Sequence, residues 1–70
     1  WLITYLFNKE NICFAYVLAA PLSLKDIIYN DLNELYIRTK EDEWENSDIY
    51  VFTITTDDTL FIFEVWKESK

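Results

Sequence analysis

The chain contains no histidine and no glycine, and it has one cysteine, one proline and one arginine among 70 residues. Each shortage removes a class of function. Without histidine there is no ordinary base to activate a serine or cysteine nucleophile, and without glycine there is no phosphate-cradling loop or dinucleotide fingerprint. The lone Cys13 has no intrachain partner, which fits a reducing compartment better than a secreted disulfide scaffold. Basic residues are also few, six against thirteen acids, and the net charge of −7 disfavours direct contact with nucleic acid or anionic lipid. The apolar run Ile12 to Ala20 is too short to span a bilayer and ends at Pro21. No basic, apolar and small-residue signal pattern opens the chain. These shortages point to a soluble, cytoplasmic, non-catalytic protein that needs neither cofactor nor metal.

Apolar and aromatic residues are abundant instead, at 51% and 19%. That is too many for a disordered chain, and the length suits one small domain able to bury about 60% of its unfolded surface. The clearest pattern lies in Ile49 to Trp66, two β-rich runs around Thr56-Asp57-Asp58-Thr59. A two-residue loop at Asp57-Asp58 fixes the register, with Thr55 opposite Leu60, Thr53 opposite Ile62, Val51 opposite Glu64 and Ile49 opposite Trp66. One face of this hairpin then collects Tyr50, Phe52, Ile54, Phe61, Phe63 and Val65, and the other holds its Thr and Glu residues.

Trp1 to Phe7 and Ile12 to Ala19 read as a second hairpin, turned by Asn8-Lys9-Glu10-Asn11. A loop at Lys9-Glu10 puts Trp1, Ile3, Tyr5, Phe7, Ile12, Phe14, Tyr16 and Leu18 on one face. Leu2, Thr4, Leu6, Cys13, Ala15 and Val17 fall on the other. After Pro21, Ser23 and Asp26 have the spacing of a capping box, and Leu24, Ile28, Leu32 and Leu35 form an apolar arc at helical spacing. The expected helix runs from Leu24 to about Lys40, followed by an acidic connection from Lys40 to Asp48.

The expected class is therefore α+β with the order ββαββ: a four-stranded, largely antiparallel sheet, one helix on one face, within a single small domain spanning residues 1–70. This order of elements resembles that of β-grasp modules such as the small immunoglobulin-binding domains. The resemblance implies that the first strand lies beside the last.

Neither Cys13 nor the acids suggest chemistry. Cys13 sits mid-strand as a small hydrophobe with nothing nearby to lower its pKa. Asp57 and Asp58 are turn formers, and the acids from Glu41 to Asp48 lack the spacing of a calcium loop. Aromatics on the sheet are not ringed by Lys and Arg as in single-strand binders.

Two surfaces remain. If the large faces of both hairpins meet the helix, Leu2, Leu6, Val17, Val51, Leu60, Ile62 and Trp66 form an apolar association face, suited to a homodimer or another protein. With the first hairpin turned over, Trp1, Tyr5, Phe14 and Tyr16 stand outside instead. The second surface is an acidic rim of Asp31, Glu34, Glu41, Asp42, Glu43, Glu45 and Asp48, with Trp44 or nearby Tyr36 as anchor. In size and charge the chain resembles bacteriocin immunity proteins and phage-encoded DNA mimics. The leading expectation is accordingly an acidic inhibitor docking on a basic, nucleic-acid-binding surface of another protein. The alternative is a structural or oligomerisation domain, cut from a longer protein, that works through the apolar face.

Overall fold

In the computed structural model, which describes residues 2–67, a six-stranded antiparallel sheet carries one helix. The elements are β1 (Leu2–Phe7), β2 (Cys13–Pro21), a 3₁₀ turn (Leu22–Leu24), α1 (Lys25–Leu35), β3 (Ile37–Lys40), β4 (Glu43–Glu45), β5 (Ile49–Thr55) and β6 (Thr59–Trp66). Strand order across the sheet is β1-β2-β6-β5-β4-β3. Trp1, which the alternation assigns to the large face of the first hairpin, lies outside the described residues.

The α+β class stands, but the four-stranded sheet expected from the sequence is corrected to six. The difference arises where the helix stops. Its interior ends at Leu35, and Tyr36 turns to φ −135°, ψ 165°, with its N–H still bonded to the Leu32 carbonyl. Ile37 and Thr39 then favour strand through their branched Cβ atoms. Glu41-Asp42 makes a turn, and Glu43-Trp44-Glu45 returns as a short strand whose tryptophan alone points to the core. Nor does Ser23 cap the helix: α1 starts at Lys25 without a side-chain cap. The first-beside-last arrangement is absent as well, since β1 is an edge strand and β6 lies between β2 and β5.

The C-terminal hairpin has the register that counting outward from Asp57-Asp58 predicts, from Thr55 opposite Leu60 to Ile49 opposite Trp66. Its turn is held by Thr56, whose N–H donates to the Thr59 carbonyl at 2.9 Å. The first hairpin departs by one residue twice. Its loop has three residues, ending at Asn11 with φ 61°, and the Asn8 carboxamide oxygen accepts from the N–H groups of Glu10 and Ile12. Phe14 is then an extra residue between the pairs Phe7–Cys13 and Leu6–Ala15. Together the two offsets restore the facing, so Ile3, Tyr5, Tyr16 and Leu18 share a face as alternation requires, although the Phe7 pair is displaced by one position and every pair from Leu6 outward by two.

The helix lies on the face that carries Ala20, Val51, Thr53, Leu60 and Ile62. Leu32 at its centre, with Ile28 and Tyr29, completes the core together with Trp44. This reverses the expected orientation of the C-terminal hairpin, whose large face was assigned to the helix. Two polar residues account for the reversal. Thr53, read as solvent-facing, is buried and hydrogen-bonds the Tyr29 hydroxyl at 2.6 Å. Glu64, read likewise, accepts from the hydroxyls of Tyr16 and Tyr36. Buried polar groups with partners carry little penalty, and the medium-sized Val, Leu and Ile side chains form a bed close enough to the helix for that packing.

Candidate association face

The side of the sheet turned away from the helix is built from three cross-strand rows. Leu6, Ala15, Val65, Tyr50 and Glu45 form one; Thr4, Val17, Phe63, Phe52 and Glu43 the next; Leu2, Ala19, Phe61 and Ile54 the third. Across β1, β2, β6 and β5 these rows contain no charged residue. Acids enter only on β4, where Glu45 pairs with Lys67 at 3.1 Å. Phe52 and Phe63 stack in parallel planes with centroids 4.8 Å apart, and Lys67 lies over the Tyr50 ring. Leu2, Tyr50 and Ile54 are half exposed or more. Beside Tyr50 and Phe52, a depression of about 510 Å³ is bounded by Thr39, Glu43 and Glu45.

The residues assigned to an association face from sequence are divided by this arrangement. Leu2, Leu6 and Val17 lie on the bare face. Val51, Leu60 and Ile62 do not: they are core residues beneath the helix, at most 3% exposed. Trp66 faces the helix side near the end of the sheet, 5.6 Å from the Tyr16 ring. The large residues that do occupy the bare face are Phe52, Phe61 and Phe63, which the sequence places together on one stripe but on the helix side.

The acidic rim is likewise divided. Asp31 and Glu34 are exposed on α1, Glu41 and Asp42 turn between β3 and β4, and Asp48 lies in the turn before β5. Glu43 and Glu45 point to the bare side. Trp44, expected as an exposed anchor, is 1% exposed. Its indole N–H donates to the Asn33 amide oxygen at 2.8 Å, its ring meets Tyr29 edge to face, and the Arg38 guanidinium covers it. Asp42 accepts from the Tyr29 hydroxyl at 2.6 Å.

Cys13 is half-buried, with its thiol directed at the Ala15 carbonyl. Among the described residues, no three of His, Cys, Asp and Glu gather as a metal ion would need, and no helix is long and apolar enough to cross a membrane. No protein-family model, curated protein or solved structure matches the chain.

On the helix side, Tyr16 and Tyr36 are joined through Glu64. Burial, and then the bonded carboxylate, raise the Tyr36 phenol to about 12 and move Tyr16 in the same direction. Tyr29 is raised too, by burial and then by Asp42, with Thr53 and Arg38 opposing. The folded chain therefore holds these protons to higher pH than the unfolded chain, in which tyrosine titrates near pH 10. The stabilisation is fully present below about pH 10 and is lost as pH rises through the folded values. Urea unfolding across alkaline pH should show a midpoint that falls from about pH 10 upward. The fall should be shallower in Tyr16→Phe/Tyr36→Phe. A midpoint independent of pH through that range would contradict the assignment.

Proposed function

We propose that the chain is a non-catalytic protein-association module whose working surface is the bare face of its sheet. The observation that supports this reading is the charge-free field across four adjacent strands in a chain of net charge −7. Soluble proteins rarely leave an apolar patch of that extent open, and an antiparallel sheet with one face in water ordinarily alternates apolar with polar residues. Here alternation puts Phe, Val, Ile and Leu outward. The acid-rim alternative, an inhibitor docking on a basic surface, draws on the exposed Asp31, Glu34, Glu41, Glu43 and Asp48. Of the two aromatics expected to anchor such a contact, Trp44 is buried and the Tyr36 hydroxyl is bonded to Glu64.

The two readings separate in a binding comparison of the tagged chain with two variants. Phe63→Lys should abolish association, whereas Glu41→Gln/Asp42→Asn/Glu43→Gln/Glu45→Gln should retain it, both with unchanged circular dichroism. The opposite pattern would return the function to the acidic rim.

A further inference from the structure

We infer that the occupant of the bare face is a second copy of the chain, packed sheet against sheet about a two-fold axis that runs parallel to the strands between β2 and β6. This rests on the association reading above and adds the partner to it.

The face is corrugated in a way that complements itself. On β2 it presents Ala15, Val17 and Ala19, and on the neighbouring β6 it presents Phe61, Phe63 and Val65. A low lane thus adjoins a high one, and Ala15 is only 1% exposed although it lies on the uncovered side. Rotation by 180° about a line between the lanes exchanges them. The phenylalanines of each copy then enter the alanine lane of the other, which is the reciprocity an isologous interface requires.

Charge selects the same arrangement. The rotation lays β1 over β5 of the second copy and carries β4 past that copy's edge. Glu43 and Glu45 therefore remain in water and do not face buried apolar groups, while the four charge-free strands cover one another. A basic partner would find acids only at the β4 margin, and a nucleic acid only Lys67 over Tyr50, already paired with Glu45. Aligned packing of two twisted sheets places the rows of one over the rows of the other within about 30°.

The size is sufficient. The broad outline of the molecule measures 36 × 24 Å between Cα limits. Four of six strands cover on the order of two-thirds of it, roughly 600 Å² per copy before corrugation is counted, which is the lower bound of stable interfaces.

Light scattering of the full chain over a concentration series, at low and high salt, tests the inference. The wild type should show twice the chain mass, and high salt should preserve or strengthen it by screening the repulsion between two acidic copies. Phe63→Lys should give a single-chain mass. So should Val17→Trp, which stays apolar but fills the low lane. A wild type that is monomeric throughout overturns the second copy. In that case a hydrophobic dye that brightens on the wild type and not on Phe63→Lys preserves the association reading, and a dye that responds to neither overturns that as well. A doubled mass that persists in both variants places the contact elsewhere and overturns both.

A second measurement holds if Val17→Trp fails to fold. In a Cys13→Ala background, Leu2→Cys/Ile54→Cys puts thiols on strands three lanes apart, roughly 14 Å, beyond the reach of an intrachain disulfide. Facing sheets stand about 10 Å apart, too far for a disulfide, so a short bis-maleimide that spans that gap should yield a covalent dimer at a dilution where Leu2→Cys alone yields none. Recovery of monomer alone overturns the proposed arrangement.

Discussion

Leu60→Lys should unfold the chain, and Phe61→Lys, one residue further along the same strand, should leave it folded. Leu60 is fully buried beneath α1, in contact with the cluster that includes Leu32, Trp44 and Val51. A lysine there must either bury an ammonium with no partner or expel the helix. An unpaired buried charge costs several kcal/mol, while a domain of this length has on the order of 4–10 kcal/mol in total. Phe61 points to the opposite side, where its lane is partly in water, so the lysine head reaches solvent and the stem lies along Phe63 and Ala19. Circular dichroism and chemical denaturation of the two variants read the difference directly. Phe61→Lys should keep a cooperative transition, and Leu60→Lys should show no folded baseline. If the two responses were interchanged, the assignment of faces would be wrong, and with it the site.

That pair of residues also marks the boundary of what the sequence discloses. Alternation specifies that Leu60 and Ile62 share one face and Phe61 and Phe63 the other, because side chains on a strand alternate and the turn at Asp57-Asp58 fixes the pairing. It does not specify which face the helix takes. The usual guide, that polar residues face water, fails at Thr53 and Glu64, whose tyrosine partners come from α1, β2 and the residue after the helix, remote in sequence. Thr53 is 24 residues from Tyr29, and Glu64 is 48 from Tyr16. No local pattern announces such bonds.

The extra strands illustrate a different obscurity. Lys40 to Asp48 carries five acids and reads as a solvated link, because charge dominates its composition. Yet Glu-Trp-Glu is a period-two pattern with its apolar member in the middle, and Ile37 and Thr39 are poor choices for a helix interior. Strands of four and three residues give too few periods for alternation to outweigh composition. The fold class survives such an error. The site does not, because both the aromatic anchor and the position of the acids depend on where β4 lies.

Trp44→Ala should be the most destabilising truncation in the acidic segment, by about 3–5 kcal/mol, enough to leave little or no folded chain. The side chain is among the largest that are fully buried, and it closes the edge of the core beyond β5. Tyr29 meets its ring at 4.9 Å, and the Arg38 guanidinium lies 5.3 Å above it, with Nε donating to the Glu41 carbonyl at 3.1 Å. Removing the indole opens a cavity and releases Arg38, the residue that ties β3 to the turn before β4. Trp44→Phe separates the two contributions. It keeps most of the apolar surface and the aromatic contact but removes the donor to Asn33, a half-exposed bond that water can replace, at a cost of about 1 kcal/mol. Urea titrations should therefore place the Trp44→Phe midpoint below that of the wild type, and Trp44→Ala should show a far lower midpoint or no folded baseline. An exposed binding anchor would behave otherwise: alanine would leave the unfolding midpoint where it is and weaken only the contact with a partner. The acidic stretch is read as a recognition loop when its charges are counted and as a core strand when its one tryptophan is followed, and the stability of Trp44→Ala decides between those two descriptions.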